Sequence, residues 1–406
     1  MSVDNTLVPD LELPLEKPFE QLSDIAGALE SFYQQLNDRT YVGGTNPVAE
    51  TVLGLAPVAS LEQYEQTAFK PALEAAQSKW KEFIEKLLQW IRNLIAGTIL
   101  WFKSKLLGSI DDSTERHHAA VETLETVHEA VQSTEGVKEH LADTENTIDP
   151  DPETRINKAM QKFSDSFSGG LGACIVKLGF AEIRWQTFLE FHFRLCHHIT
   201  EEVTEEADLI AAILEQRKSL KGQLAGDVRK ATDARNGLEK ALGVDVTPSK
   251  TVEECINANI RMMHLLEHTT EIKVNPKYIL TNSSSVAAMV LSMDSKQYRE
   301  NAAADIRDSE ARLEDVAKGV ERVEKQLLDN RDTLEAESSA ALRGYVKELR
   351  LAITGLQAGS RWHIRYVSSH TNIITAFTEY YRAVASVSAE KHSPATLIKF
   401  TKALKS

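Results

Sequence analysis

Apolar side chains recur at three- and four-residue intervals along most of this chain, which predicts α-helices throughout. The most regular pattern covers residues 61–107, where a continuous apolar stripe runs beside charged and amide side chains. Gly108 is predicted to end this helix and Ser113 to help cap the next one, so segment 61–142 is predicted to form an amphipathic helical hairpin. The stripe residues assigned to an interface are Trp80, Phe83, Leu87, Trp90, Ile91, Leu94, Ile95, Trp101 and Phe102.

An apolar stripe of this length needs a surface to cover it, and two interpretations remain. It packs against helices of the same protein or of neighbouring copies, as every helix of a bundle must. Alternatively, it lies in a membrane interface with its tryptophans at the level of the headgroups. Arg92 and Asn93 interrupt it, so it does not fit the ~20 apolar residues of a membrane-spanning helix. We favour packing, and keep a membrane-active, pore-forming-like protein as an alternative function.

Residues 154–406 are predicted to form a second unit, a helical bundle with a coiled-coil segment. Pro150 and Pro152 mark the linker before it, and Ser393-Pro394 is a typical start for a short C-terminal helix. One long helix is predicted from 295 to 356, with a break at Gly359-Ser360. Within it, residues at alternating three- and four-residue steps predict a coiled-coil seam and suggest a tether or adaptor as a further alternative. The seam residues are Leu313, Val316, Val320, Val323, Leu327, Asn330 and Leu334.

Composition and charge narrow the class of protein. The 406 residues are 42% hydrophobic and 26% charged, which fits a folded chain. The net charge of −14 argues against specific nucleic-acid binding, which needs clustered cations. Residues 1–60 are predicted to be a disordered acidic arm carrying one short amphipathic helix, without the features of a signal peptide. The predicted fold class is therefore all-α: an elongated multi-helix bundle with a coiled-coil segment and a disordered N-terminal arm.

The candidate chemistry of the sequence is sparse. His264 and His268 lie four residues apart on a predicted helix, but the HExxH order and further ligands of a zinc site are missing, so both are interpreted as surface histidines. His117 is also assigned to a solvent-facing position on a polar helix, whereas His192 is predicted to be a hydrogen-bonded core residue. We therefore assign no catalytic residue, no metal ligand and no cofactor, and predict that the protein is not an enzyme.

Three small-x-Glu tripeptides lie in the N-terminal part of the chain: Ala28-Leu29-Glu30, Ser60-Leu61-Glu62 and Ala72-Leu73-Glu74. With the acidic arm and short amphipathic helix, this order of parts resembles the internal head (inner-body) proteins of large tailed bacteriophages. The same tripeptide also occurs as Ser388-Ala389-Glu390.

The resemblance implies a structural protein of the virion interior. Such a protein is made in the host cytoplasm, is delivered into the immature head by its N-terminal segment, and is cut there by a prohead protease. By analogy, Glu30, Glu62 or Glu74 would be the residue before a cut. The implied partners are further copies of the chain or other capsid and core proteins.

Overall fold

The computed structural model describes residue 31 and residues 85–86, 89–146, 154–205, 211–244, 248–274, 277–329 and 336–405. These residues are almost entirely helical and include no strand, which confirms the all-α prediction. Several predicted site residues lie outside the described residues: Glu30, Glu62, Glu74, Trp80, Phe83, Leu87, Asn330 and Leu334, together with the side chains of Val323 and Leu327.

The helices follow one another closely along the chain. Residues 89–101 are helical and continue into a π-helix, Phe102–Leu106. The α-helices are then α1 (Leu107–Ser133), α2 (Val137–Asn146), α3 (Arg155–Ser166), α4 (Gly170–Lys177), α5 (Glu182–Glu205), α6 (Ala211–Leu242), α7 (Val252–His268), α8 (Lys277–Leu280), α9 (Ser283–Met293), α10 (Lys296–Asp329), α11 (Ala336–His392) and α12 (Pro394–Ala403).

The break predicted at Gly108 is wrong, because the helix passes straight through this residue. Leu106 and Ile110 are both buried on either side of the glycine. Their burial outweighs the ~1 kcal/mol by which glycine disfavours a helix. Ser113 does not cap a helix start; its hydroxyl donates to the carbonyl of Ile110 within α1.

The break predicted at Gly359-Ser360 is also wrong, because α11 is continuous there. A Cβ atom at position 359 would lie 2.9 Å from Cδ2 of His192 and 3.2 Å from Cζ of Phe193. The glycine therefore permits the close approach of α5 to α11 and does not interrupt the helix.

Local signals account for three helix starts, and the one at Ser393-Pro394 confirms the prediction from the sequence. Thr154 accepts a hydrogen bond from the backbone N–H of Asn157, and Ser393 caps the helix whose first residue is Pro394. Thr251 forms a capping box with Glu254, in which each side chain accepts from the other residue's backbone N–H. These interactions satisfy amide groups that helix geometry leaves without partners.

The chain forms two compact units, each assembled from segments that are distant in sequence. Unit 1 takes in the described residues within 85–104, 196–224 and 308–354. Unit 2 draws on Lys105–Leu195, Ala225–Arg307 and Gly355–Ser406. The core of unit 2 is rich in aromatic rings, with Trp362 at 5.1 Å from Trp185 and 5.6 Å from Tyr366 between ring centroids.

Candidate functional site

Unit 2 encloses a cluster of five ionisable side chains drawn from separate stretches of sequence. They are His117 of α1, Glu182 of α5, Asp294 at the end of α9, Arg299 of α10 and His370 of α11. His117, Glu182, Arg299 and His370 are each at most 2% exposed. Because a buried charge is costly unless it is paired and hydrogen-bonded, the arrangement of these groups decides what the cluster can do.

A tight turn positions Glu182 in the first turn of α5. Gly179 and Phe180 precede it with φ of 63° and 61°, both in the left-handed region. That backbone conformation costs a non-glycine residue roughly 1–2 kcal/mol. The Phe180 side chain is buried and stacks against the ring of His370, with 5.9 Å between centroids, so burial offsets the strain. The turn thus delivers both Glu182 and a ring that packs on His370.

Arg299 bridges the two carboxylates. Its Nη1 and Nη2 donate to Oδ1 and Oδ2 of Asp294 at 2.7 and 3.0 Å. The same Nη1 lies 3.1 and 3.2 Å from the two carboxylate oxygens of Glu182, and the backbone N–H of Ser295 donates to Glu182 Oε2 at 2.8 Å. One guanidinium thus faces two carboxylates, which leaves one negative charge for another cation to balance.

The two histidines contact both carboxylates. Nδ1 of His370 is 3.0 Å from Oε1 of Glu182, and Nε2 of His117 is 3.1 Å from Oδ1 of Asp294. The Thr371 hydroxyl donates to the carbonyl of Val367, so its oxygen accepts from Nδ1–H of His117 at 3.1 Å. When the His117 ring is protonated, its Nε2–H donates to Oδ1 of Asp294; in the neutral ring that carries its proton on Nδ1, Nε2 presents a lone pair to the same oxygen.

The surroundings shift the protonation equilibria of these groups. Burial lowers the pKa of His117, against the opposing effect of its hydrogen bond with Asp294. Burial alone would raise the pKa of Asp294, but hydrogen bonds from His117 and Arg299 lower it below its ordinary value. Asp294 is therefore an ionised carboxylate at neutral pH.

Further polar groups line the same region without a hydrogen-bond partner among the described residues. They are the hydroxyls of Tyr298 and Tyr366, both ring nitrogens of His363 and Nε2 of His370. The ring of Tyr298 lies 5.9 Å from that of His363 and 6.2 Å from that of Tyr366. Burial raises the pKa of both tyrosines, and the charge of Glu182 adds to the shift. Leaving such atoms unpaired costs about 1–3 kcal/mol each.

His117, Glu182 and His370 also have the arrangement of metal ligands. Each offers one ligand atom, and these atoms all lie within 4.8 Å of one another. The cluster can therefore hold a proton or a metal ion as its missing cation.

The sequence interpretation missed this cluster. His117 was assigned to the surface, but its side chain is fully buried, so that assignment is wrong. Polar residues on its helix flank it on both sides, and nothing local shows that α1 turns this position inward. Glu182, Asp294, Arg299 and His370 gave no short-range signal, because the tertiary fold brings them together from widely spaced positions.

Other predicted histidines lie where the sequence placed them. His192 is a core residue as predicted: Nε2 donates to the carbonyl of Gly355 at 2.9 Å, and Nδ1 accepts from the amide of Asn259 at 3.3 Å. His264 and His268 are exposed on α7, with ring centroids 4.6 Å apart.

The residues predicted to form interfaces are buried wherever their side chains are described. Leu313, Val316 and Val320 of the predicted seam are at most 1% exposed. In the stripe, the buried side chains are Trp90, Ile91, Leu94, Ile95, Trp101 and Phe102.

No family model, curated protein or solved structure matches this chain. Among the described helices, none is both long enough and apolar enough to cross a bilayer.

Proposed function

We propose that the protein is a non-enzymatic structural component of a virion interior, made with an N-terminal segment that a maturation protease removes. The observation that carries the proposal is the position of the tripeptides relative to the core. The first buried residue among those described is Trp90, whereas Glu30, Glu62 and Glu74 all precede it. A cut after any of the three leaves every described core residue in the product.

The tripeptide near the C-terminus, Ser388-Ala389-Glu390, supports the same interpretation by contrast. Ser388 and Ala389 are fully buried in α11, and the Ser388 hydroxyl donates to the carbonyl of Val137 at 2.9 Å. A protease needs an accessible chain that can leave its helix. Glu390 itself is exposed, but a cut after it would require the end of α11 to unwind and release Ser388 and Ala389, so processing is expected at the N-terminal tripeptides and not at this one.

The buried stripe bears on the membrane alternative. Trp90, Leu94 and Trp101 belong to unit 1 and are buried, as are the other described stripe residues. These side chains would have to become exposed before this surface could reach a bilayer. The stripe therefore supports a role that depends on protein packing.

The test is mass spectrometry of purified virus particles encoded by the same genome. We expect the protein inside the particle with a new N-terminus following Glu30, Glu62 or Glu74, and a C-terminus that extends past Glu390. A matched control replaces Glu62 with Gln, which removes one cut and leaves the others. Absence of the protein from particles would refute the location, and an intact N-terminus in mature particles would refute the processing.

A further inference from the structure

We propose that His117, Glu182 and His370 bind a divalent transition-metal ion that links α1, α5 and α11 within unit 2. The proposed virion role does not require such an ion. The geometry of the cluster alone points to it. The three ligand atoms lie within 4.8 Å of one another. Bonds of ~2.0–2.2 Å to one ion place ligand atoms roughly 3–4 Å apart, so side-chain shifts of about 1 Å would complete the site.

The donor set selects the class of metal. Two imidazoles and one carboxylate suit Zn²⁺, Fe²⁺ or Mn²⁺. Ca²⁺ and Mg²⁺ prefer oxygen ligands, and the site offers no thiolate for Cu⁺. Zn²⁺ is the appropriate probe because it tolerates a three-ligand site completed by water.

The hydrogen bond at Nδ1 of His117 is the one expected of a metal ligand. Nδ1 of His117 donates to Thr371, which fixes the ring and leaves Nε2 with its lone pair toward the cluster. A ligating histidine normally donates its second N–H to such a fixed acceptor. Asp294 accepts hydrogen bonds from both Nη atoms of Arg299 and so fixes the position of this guanidinium. The positive charge of Arg299 repels a metal ion and lowers the affinity of the site.

A proton is the rival cation. A charged imidazole at His117 or His370 would balance the same negative charge without any metal. The two occupants differ in measurable ways, because a metal binds in stoichiometric amount, gives a Co²⁺ ligand-field spectrum and raises stability with its concentration.

The full-length protein is unfolded in urea with EDTA and then refolded with either excess Zn²⁺ or EDTA, since a buried site loads most readily during folding. After gel filtration, we expect about one bound Zn²⁺ per chain and a melting temperature at least about 3 °C above that of the EDTA sample. Refolding with Co²⁺ should give visible absorption bands of a low-coordinate nitrogen and oxygen site.

The variants His117→Gln and His370→Gln should each lose the bound Zn²⁺ and the Co²⁺ bands, while retaining the wild-type circular dichroism spectrum in EDTA. The matched control changes His264 and His268 to Ala, because this exposed pair is another place where two imidazole rings lie close together. It should keep both signals.

Zinc that is lost in this control but kept in His370→Gln would overturn the proposal in favour of a surface site. Wild-type protein that refolds without bound Zn²⁺ and without Co²⁺ bands would overturn it in favour of the proton. This last outcome needs no variant, so the proposal stays falsifiable if a substitution prevents folding.

Discussion

The guanidinium of Arg299 is the fixed positive charge of the buried cluster in unit 2. Replacing it with Met keeps much of its volume but leaves Glu182 and Asp294 buried without their shared partner. Removing one member of a buried ion pair typically costs about 3–5 kcal/mol, and we expect that loss here. The measurement is the free energy of unfolding in urea, in the presence of EDTA.

Arg116→Met provides the comparison for Arg299→Met. Arg116 pairs with Asp112 on the surface of α1, where both side chains are about half exposed at 58% and 49%. Such a pair contributes little, so the control should lie within about 0.5 kcal/mol of wild type. Equal effects of the two substitutions would show that the buried network contributes no more than a surface pair.

Three buried histidines outside the cluster contribute to the pH dependence of stability, and one of them is His363, whose pKa burial lowers to about 4. Burial lowers the pKa of His192 and of His197 to about 4, with Arg312 adding to the shift at His197. Between pH 4 and about 6.5 the unfolded chain therefore binds more protons than the folded chain, and stability rises with pH. Lowering the pH from 7 to 5 should cost up to about 2 kcal/mol per histidine.

The check compares urea unfolding at pH 7 and pH 5 for wild type and for the double variant His192→Gln, His197→Gln. The variant should lose much of the pH dependence even if it is less stable at pH 7. An unchanged difference between the two pH values would mean that other groups control the acid response.

At the scale of helices, a substitution at Gly359 tests whether close helix packing explains why α11 continues through the break predicted there. A methyl group there would meet His192 and Phe193 at 2.9 and 3.2 Å, so Gly359→Ala should destabilise the protein by about 1–3 kcal/mol. Gly237 lies in α6, and a methyl group there would meet no atom within 4 Å, so Gly237→Ala should add about 0.5–1 kcal/mol through helix propensity. Thermal unfolding measures both changes. If Gly359→Ala also stabilised the protein, the close helix contact would be contradicted.

Local signals predict the helical class and explain several helix starts, because the information lies within a few residues. Thr251 and Glu254 are three residues apart, and Pro394 follows its capping serine directly. The glycines at 108 and 359 were misinterpreted because their effect depends on what packs beside them. The candidate site could not be predicted for the same reason. His117 and His370 share one cluster although 253 positions separate them in the numbering, and only the packing of α1 against α11 joins them.

At the scale of the whole molecule, the N-terminal tripeptides precede all of the described core residues. This order predicts how the protein responds to removal of its N-terminal segment. All described core residues follow position 89, so a chain that begins at residue 75 keeps each of them. We expect this truncated chain to unfold at nearly the same temperature as the full chain, with the same cooperativity. We expect this because the proposed role of the N-terminal segment is delivery, which does not require it to stabilise the two units.

A chain ending at Glu390 is the matched truncation, because it corresponds to a cut at the same kind of tripeptide. It loses α12 and with it Phe400, a fully buried side chain, as well as the hydrogen bond between His392 and Thr396. Removing one buried Phe side chain alone costs about 3–5 kcal/mol, so this chain should unfold at a clearly lower temperature. If the N-terminal truncation proved as damaging as the C-terminal one, residues 1–74 would belong to the folded body. Their removal in a mature particle would then be incompatible with an intact structure.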